Sequence, residues 1–154
     1  LQYAPDPGGP TVLDLGCGTG VIGMAAARRM SGKGQTPDVF MIDSNLMAVA
    51  CAEKNIQANQ ITGAQAYGGD LIEGFHIRNF NQILTNPPFH AGKEVNYAVS
   101  EALIAQSYHG LTQGGEFALV ANRFIPYDTL MKKLFSKVRQ VFADPQYHIL
   151  AATK

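Results

Sequence analysis

Between Thr11 and Met30 the chain runs from an apolar strand through a glycine loop directly into a helix, and few folds accept that order. Thr11-Val12-Leu13-Asp14-Leu15 has the length and apolar content of a short buried strand, interrupted by Asp14. Gly16-Cys17-Gly18-Thr19-Gly20 follows, and Val21 to Met30 reads as a helix. Strand, tight turn and helix together open a βαβ unit. Glycines let the backbone turn sharply and come close to a ligand, while the helix N-terminus presents unpaired N–H groups.

The rest of the chain repeats the alternation. Val39-Phe40-Met41-Ile42-Asp43 reads as a second strand ending in a carboxylate, and Ser44 is expected to cap a helix from about Asn45 to Ala58. Ala64 to Tyr67 is a weak third strand, closed by Gly68-Gly69-Asp70, and Gln82-Ile83-Leu84-Thr85 is the fourth. Glu94 to His109 has a helical pattern with Ala98, Ala102, Ala105 and Tyr108 on one face. Gly114-Gly115 turns the chain into strand Glu116 to Ala121, and Tyr127 to Phe135 reads as a short amphipathic helix with lysines outward. Lys137–Ala143 and Tyr147–Ala152 are separated only by Asp144-Pro145-Gln146, which leaves no room for a helix, so they should form an antiparallel hairpin. The expected class is α/β: an open, mostly parallel seven-stranded sheet with helices on both faces and a C-terminal antiparallel hairpin. Residues 1–10, rich in proline and glycine, read as a connector from a missing upstream region, with Leu1 suggesting a fragment. Residues 11–154 form one domain, a size that buries a real core.

Composition removes several classes of function. With 46% apolar and 16% charged residues the chain is globular. Its formal charge of zero argues against a free-standing nucleic-acid binder, which shows a basic excess. Two cysteines, Cys17 and Cys51, have no metal-ligand spacing, so no metal is expected and the setting reads as reduced and cytoplasmic. No signal peptide or bilayer-length apolar run is evident, so no membrane partner is expected.

The fourth strand ends in a distinctive way. After Ile83-Leu84-Thr85 come Asn86-Pro87-Pro88-Phe89-His90, and prolines cannot continue a ladder or a helix. Each proline carbonyl is an acceptor with no competing N–H on the same residue, Asn86 adds a side-chain oxygen, and Phe89 a flat apolar face. That set suits a planar base or amide bearing an NH₂ group: two oxygens accept its hydrogens and the ring stacks on it.

Asp14, Asp43, Asp70 and Asn86 thus lie at or near the carboxyl ends of four successive strands, where open α/β sheets bind ligands. Gly18-Thr19-Gly20-Val21-Ile22-Gly23 also satisfies the dinucleotide pattern G-x-G-x-x-G, with Asp43 about 20 residues on. A pyrophosphate, however, would meet the Asp14 carboxylate beside the loop and find no lysine or arginine before Arg28. A cationic or uncharged ligand suits the loop better.

Asp14-Leu15-Gly16-Cys17-Gly18-Thr19-Gly20 resembles the first motif of class I S-adenosylmethionine-dependent methyltransferases, and Asn86-Pro87-Pro88-Phe89 resembles their fourth motif in enzymes that methylate exocyclic or amide nitrogens. The resemblance spans nearly the whole chain from Thr11 to Lys154. With Val120-Ala121-Asn122-Arg123, the fourth motif is most similar to that of bacterial ribosomal RNA guanine-N2 methyltransferases, and the stretch Ala121 to Tyr127 leans toward the large-subunit type. The resemblance implies S-adenosyl-L-methionine as cofactor, ribosomal RNA or a ribosomal subunit as partner, and an upstream domain in the same chain. It assigns Gly16, Gly18 and Gly20 to the cofactor's methionine and ribose portion. Asp14 would support the loop or accept from the methionine ammonium, and Asp43 would accept the ribose hydroxyls. Asp70 would accept from the adenine amino group, with the Leu71 N–H on the ring. Asn86 and the Pro87 carbonyl would hold the target nitrogen. Pro88 and Phe89 would bind the flipped base, and Arg123 would meet a phosphate. The same motif chemistry also serves protein-glutamine N5- and adenine-N6 methyltransferases, and a non-catalytic RNA-binding module that kept the fold is the reading outside enzymes.

Overall fold

The computed structural model describes residues 11–72, 79–87 and 97–154. In chain order the elements are β1 (Thr11–Leu15), α1 (Val21–Gly32), β2 (Asp38–Asp43), α2 (Leu46–Ala58), β3 (Ala64–Gly68), β4 (Phe80–Thr85), α3 (Tyr97–Gly110), β5 (Leu111–Asn122), α4 (Tyr127–Met131), β6 (Lys137–Ala143) and β7 (Tyr147–Thr153). They build a seven-stranded sheet of order β3-β2-β1-β4-β5-β7-β6. Strands β1 to β5 pair in parallel, and β7 runs antiparallel to both β5 and β6. The expected hairpin is therefore present, its second strand lying inside the sheet and its first at the edge.

Side-chain alternation along each strand divides the core into two layers. Leu13, Leu15, Ile83, Phe117 and Leu119 pack with Leu103 and Ile104 of α3 and with Tyr127 and Met131 of α4. Val12, Met41, Leu84 and Ala118 pack on the other face with Ala26, Ala27 and Met30 of α1 and Ala52 of α2. Helices on both faces leave β1 buried from Val12 onward, as a central parallel strand must be.

Four local expectations are corrected. Asn45, not Ser44, caps α2: its side chain accepts from the Met47 N–H at 3.0 Å, while Asp43 Oδ1 accepts from the Asn45 N–H at 2.8 Å and sets the corner one residue later. Helix α3 does not bury the alanine face most deeply: Ser100, Leu103, Ile104 and Ser107 are inside, Ala102, Ala105 and Tyr108 are half-buried and Ala98 is exposed, with Leu103 and Ile104 taking the larger apolar area into the core. Helix α4 stops at Met131, and Phe135 instead fills the core, stacked on Phe117 and edge-on to Tyr108. Strand β5 begins at Leu111, not Glu116, with an irregularity at Gly114-Gly115 where the register against β4 shifts.

Candidate active site

The sheet order reverses between β1 and β4: from β1 the chain builds outward to β2 and β3, then crosses back to pair β4 on the other side of β1. A crevice opens at the carboxyl ends of such a strand pair. Here it is a cavity of about 620 Å³ lined by Leu15 and Gly16 after β1, Ile42 to Ser44 after β2, Gly69 to Leu71 after β3, Asn86 after β4, and one side of α3. Thr85 Oγ1 donates to the Leu15 carbonyl at 2.7 Å, clamping the two strand ends that floor the crevice.

The glycine loop forms one wall. Gly16 and Gly18 have φ of +70° and +53°, and a Cβ at either would meet no atom within 4 Å. The loop needs glycine for its left-handed turn and leaves open space beside it, which is what a ligand lying on the backbone requires. Gly20 and Gly23 serve packing instead: a Cβ on Gly20 would lie 3.1 Å from Ala52 Cβ, and one on Gly23 would lie 2.4 Å from Met41 Sδ. Asn55 of α2 steadies the loop from outside, donating to the Thr19 carbonyl at 2.9 Å.

Asp43 joins loop to helix. Its Oδ2 accepts from the Gly18 N–H at 2.8 Å and its Oδ1 from the Asn45 N–H. Each oxygen keeps a further lone-pair direction, so the carboxylate can still accept a vicinal diol from the cavity. Asp14 is different. It is wholly buried, its Oδ2 accepts from the Gly23 N–H at 2.7 Å, and its Oδ1 has no hydrogen-bond partner among the described residues. Burial raises its pKa, the Gly23 N–H lowers it and the neighbouring Asp43 charge raises it, which together leave it at about 7. Asp14 thus ties the β1 end to the first turn of α1. Cys17 is also buried, and burial, Asp14 and Asp43 together raise its thiol to about 12, so it stays protonated and is no nucleophile.

Of the residues singled out in the sequence, Gly16, Asp43, Asp70, Leu71 and Asn86 line one cavity. Asp70 and Asn86 are exposed at its mouth, and Pro87 behind Asn86 is buried. Leu71 sits at φ +52°, a left-handed conformation that costs a leucine roughly 1–2 kcal/mol, at the rim of the site. Gly18 lies on the same loop with open space beside it, while Asp14 and Gly20 support the wall from behind. Pro88, Phe89 and His90 lie outside the described residues. Arg123 is not brought to this cavity: it follows β5 and lines a second one. Missed in the sequence was the α3 wall of Ala98, Val99, Ala102, Leu103 and Gln106, in which the Gln106 side-chain oxygen accepts from the Ile72 N–H at 2.9 Å. The available signal was the polar Gln106 directly after the apolar run Ala102-Leu103-Ile104-Ala105.

A doubly wound sheet with a glycine loop and carboxylates along its carboxyl edge is the layout of domains that bind nucleotide-like ligands at the strand switch, here between β1 and β4. The chain belongs to the methyltransferase small-domain family, whose pattern matches residues 2–151. It is 41% identical over 142 residues to ribosomal RNA small subunit methyltransferase C of Haemophilus influenzae (strain 86-028NP), covering 92% of this chain and 38% of that protein. It is 33% identical over 159 residues to ribosomal RNA large subunit methyltransferase G of Streptomyces griseus, covering 100% of this chain and 40% of that one. A 16S rRNA N2 methyltransferase from T. thermophilus, solved in complex with AdoMet and guanosine, superimposes with a TM-score of 0.80 at 32% identity, covering 93% of this chain and 37% of that one. The chain thus spans about two fifths of the length of these relatives.

Proposed function

We propose that this chain is the catalytic domain of an S-adenosylmethionine-dependent methyltransferase acting on the exocyclic N2 of a guanine in ribosomal RNA. The observation that carries the reading is the single cavity that gathers Gly16, Asp43, Asp70 and Leu71 with Asn86 at its mouth. The residues fit the cofactor: open space beside Gly16 and Gly18, a carboxylate with spare lone pairs at Asp43, and a second acid at Asp70. When bound, the cofactor supplies an electrophilic methyl carbon on a sulfonium.

The chain's own residues then have to make a poor nucleophile attack. The lone pair of guanine N2 is delocalised into the ring. The Asn86 side-chain oxygen and the Pro87 carbonyl would accept its two hydrogens, favouring a tetrahedral nitrogen whose lone pair faces the methyl carbon. Alignment supplies much of the acceleration, and the two oxygens offset the positive charge that grows on nitrogen. Pro88 and Phe89 are proposed to hold the base face, as base-modifying enzymes hold an extruded nucleotide. The proton can leave after transfer, so no dedicated base is needed.

The relatives' greater length supports an upstream domain in the same protein, sharing RNA recognition with this neutral one. No helix among the described residues is long and apolar enough to cross a membrane, which is compatible with a cytoplasmic enzyme. Residues 121–127 lean toward the large-subunit type, whereas identity leans the other way, at 41% against 33%. The proposal therefore rests at the level of ribosomal RNA.

Transfer of tritiated methyl from S-adenosylmethionine by the full-length protein, to protein-free ribosomal RNAs and to undermethylated subunits, tests it. Label in N2-methylguanosine is the expected result, and the labelled RNA identifies the subunit. Label confined to protein would replace this reading by glutamine methylation. Asn86→Ala should bind cofactor nearly as the parent does and lose methyl transfer by at least about 100-fold, on the scale of removing one aligned transition-state hydrogen bond. Comparable activity in the variant would remove Asn86 from the mechanism.

A further inference from the structure

A second cavity, of about 470 Å³, opens beside the loop that leaves β5. Its walls come from Arg123 to Pro126, from Asp128 and Lys132 at α4, and from β6 and β7, including His148. Three features set it apart from an accidental surface dent. Phe124 is 69% exposed, a large flat ring open to solvent at the cavity wall. Arg123 and Lys132 bring two cations to the same rim. At the floor, His148 is only 7% exposed, and its Nε2 is buried without a hydrogen-bond partner among the described residues. An unpaired polar atom in such a place is costly unless something enters to meet it.

The cations are available. Arg123 is exposed and uses Nη1 on the Asp144 carbonyl at 3.1 Å, one group of a guanidinium that carries five N–H donors. Lys132 pairs with Asp128 at 3.0 Å, but both side chains are well exposed, and a pair of that kind holds weakly enough to be shared with a phosphate. Burial lowers the pKa of His148, and Arg123 lowers it further against the raising effect of Asp128, so the ring is neutral near pH 7 with one donor and one acceptor. Position supplies the rest. Thr85 pairs with Leu119, so Asn86 is level with Val120 and Arg123 lies three residues farther along the same direction, about 10 Å beyond it.

We propose that this second cavity seats a nucleotide of the RNA strand flanking the target guanine, its phosphate between Arg123 and Lys132, its base against Phe124, and its sugar or phosphate oxygen on His148 Nε2. The inference rests on the ribosomal RNA reading above. It gives Arg123 a role outside the catalytic cavity and makes Phe124 a stacking platform, the device by which single strands are held without reading sequence.

Binding of a fluorescein-labelled single-stranded RNA nonamer to the full-length protein, followed by anisotropy from low to moderate salt, tests the proposal together with methyl transfer to ribosomal RNA. Phe124→Ala should weaken nonamer binding roughly 5- to 100-fold with the salt slope unchanged, the scale of one base stacked on an aromatic ring. Arg123→Ala/Lys132→Ala should lower the slope of log affinity against log salt by about 0.7 for each phosphate no longer neutralised. Both variants should raise KM for ribosomal RNA while S-adenosylmethionine affinity stays at the parent value. If the parent methylates ribosomal RNA and both variants match it in nonamer affinity, salt slope and KM, the second cavity is not an RNA subsite and the catalytic reading stands. If the parent transfers no methyl to RNA at all, both readings fall together.

Discussion

Replacing Asp14 by asparagine tests whether a charge is held in the core against a solvation cost. The carboxyl is wholly buried, with its pKa raised from 3.8 to about 7. Because the folded state holds the proton more tightly than the unfolded chain, stability from this group is fully present below pH about 3.8. It is lost as pH rises through about 7. That change corresponds to about 4 kcal/mol in all, of which roughly 3 kcal/mol falls between pH 5 and pH 8. Asp14→Asn removes the ionisation but keeps an oxygen that can accept from the Gly23 N–H. Measured by urea unfolding, the variant should gain roughly 3 kcal/mol on the parent as pH goes from 5 to 8, other titrating groups cancelling in the difference. A parent-to-variant difference that is flat with pH would mean that Asp14 is solvated or neutralised in a way the buried geometry does not reveal.

Two further outcomes bear on the same wall of the site. Asn45→Ala should cost about 1 kcal/mol in unfolding free energy, the usual worth of an N-cap, while Ser44→Ala should change stability by less than about 0.5 kcal/mol, and equal costs would contradict the observed cap. Asp43→Ala strips the acceptor from both the Gly18 and Asn45 N–H groups, and should destabilise by at least about 1.5 kcal/mol and weaken cofactor binding 10-fold or more. Unchanged cofactor affinity in calorimetry would mean that Asp43 only braces the loop.

Much of this architecture follows from local pattern. The apolar runs at 11–15, 39–43 and 82–85 are too short and too continuous for helices, and the glycines at 16, 18 and 20 cannot sit inside one. The three-residue gap at 144–146 forces a hairpin, whatever lies around it. Finer features escaped because they depend on what packs nearby. The cap moved to Asn45 because Asp43 claims the Asn45 N–H, and α3 turned Leu103 and Ile104 inward, away from the face its alanines marked.

By itself the sequence determined the order of strands and helices, and it placed acids and an amide at successive strand ends, since backbone preference and hydrophobic period are properties of neighbouring residues. The tertiary structure decided which of those ends meet. The crossover that sets β4 beside β1 brings Asn86 to the cavity of Gly16 and Asp43, buries Asp14 behind the wall, and carries Arg123 to a separate cavity. Lateral strand order is a matter of long-range burial, and no local period encodes it.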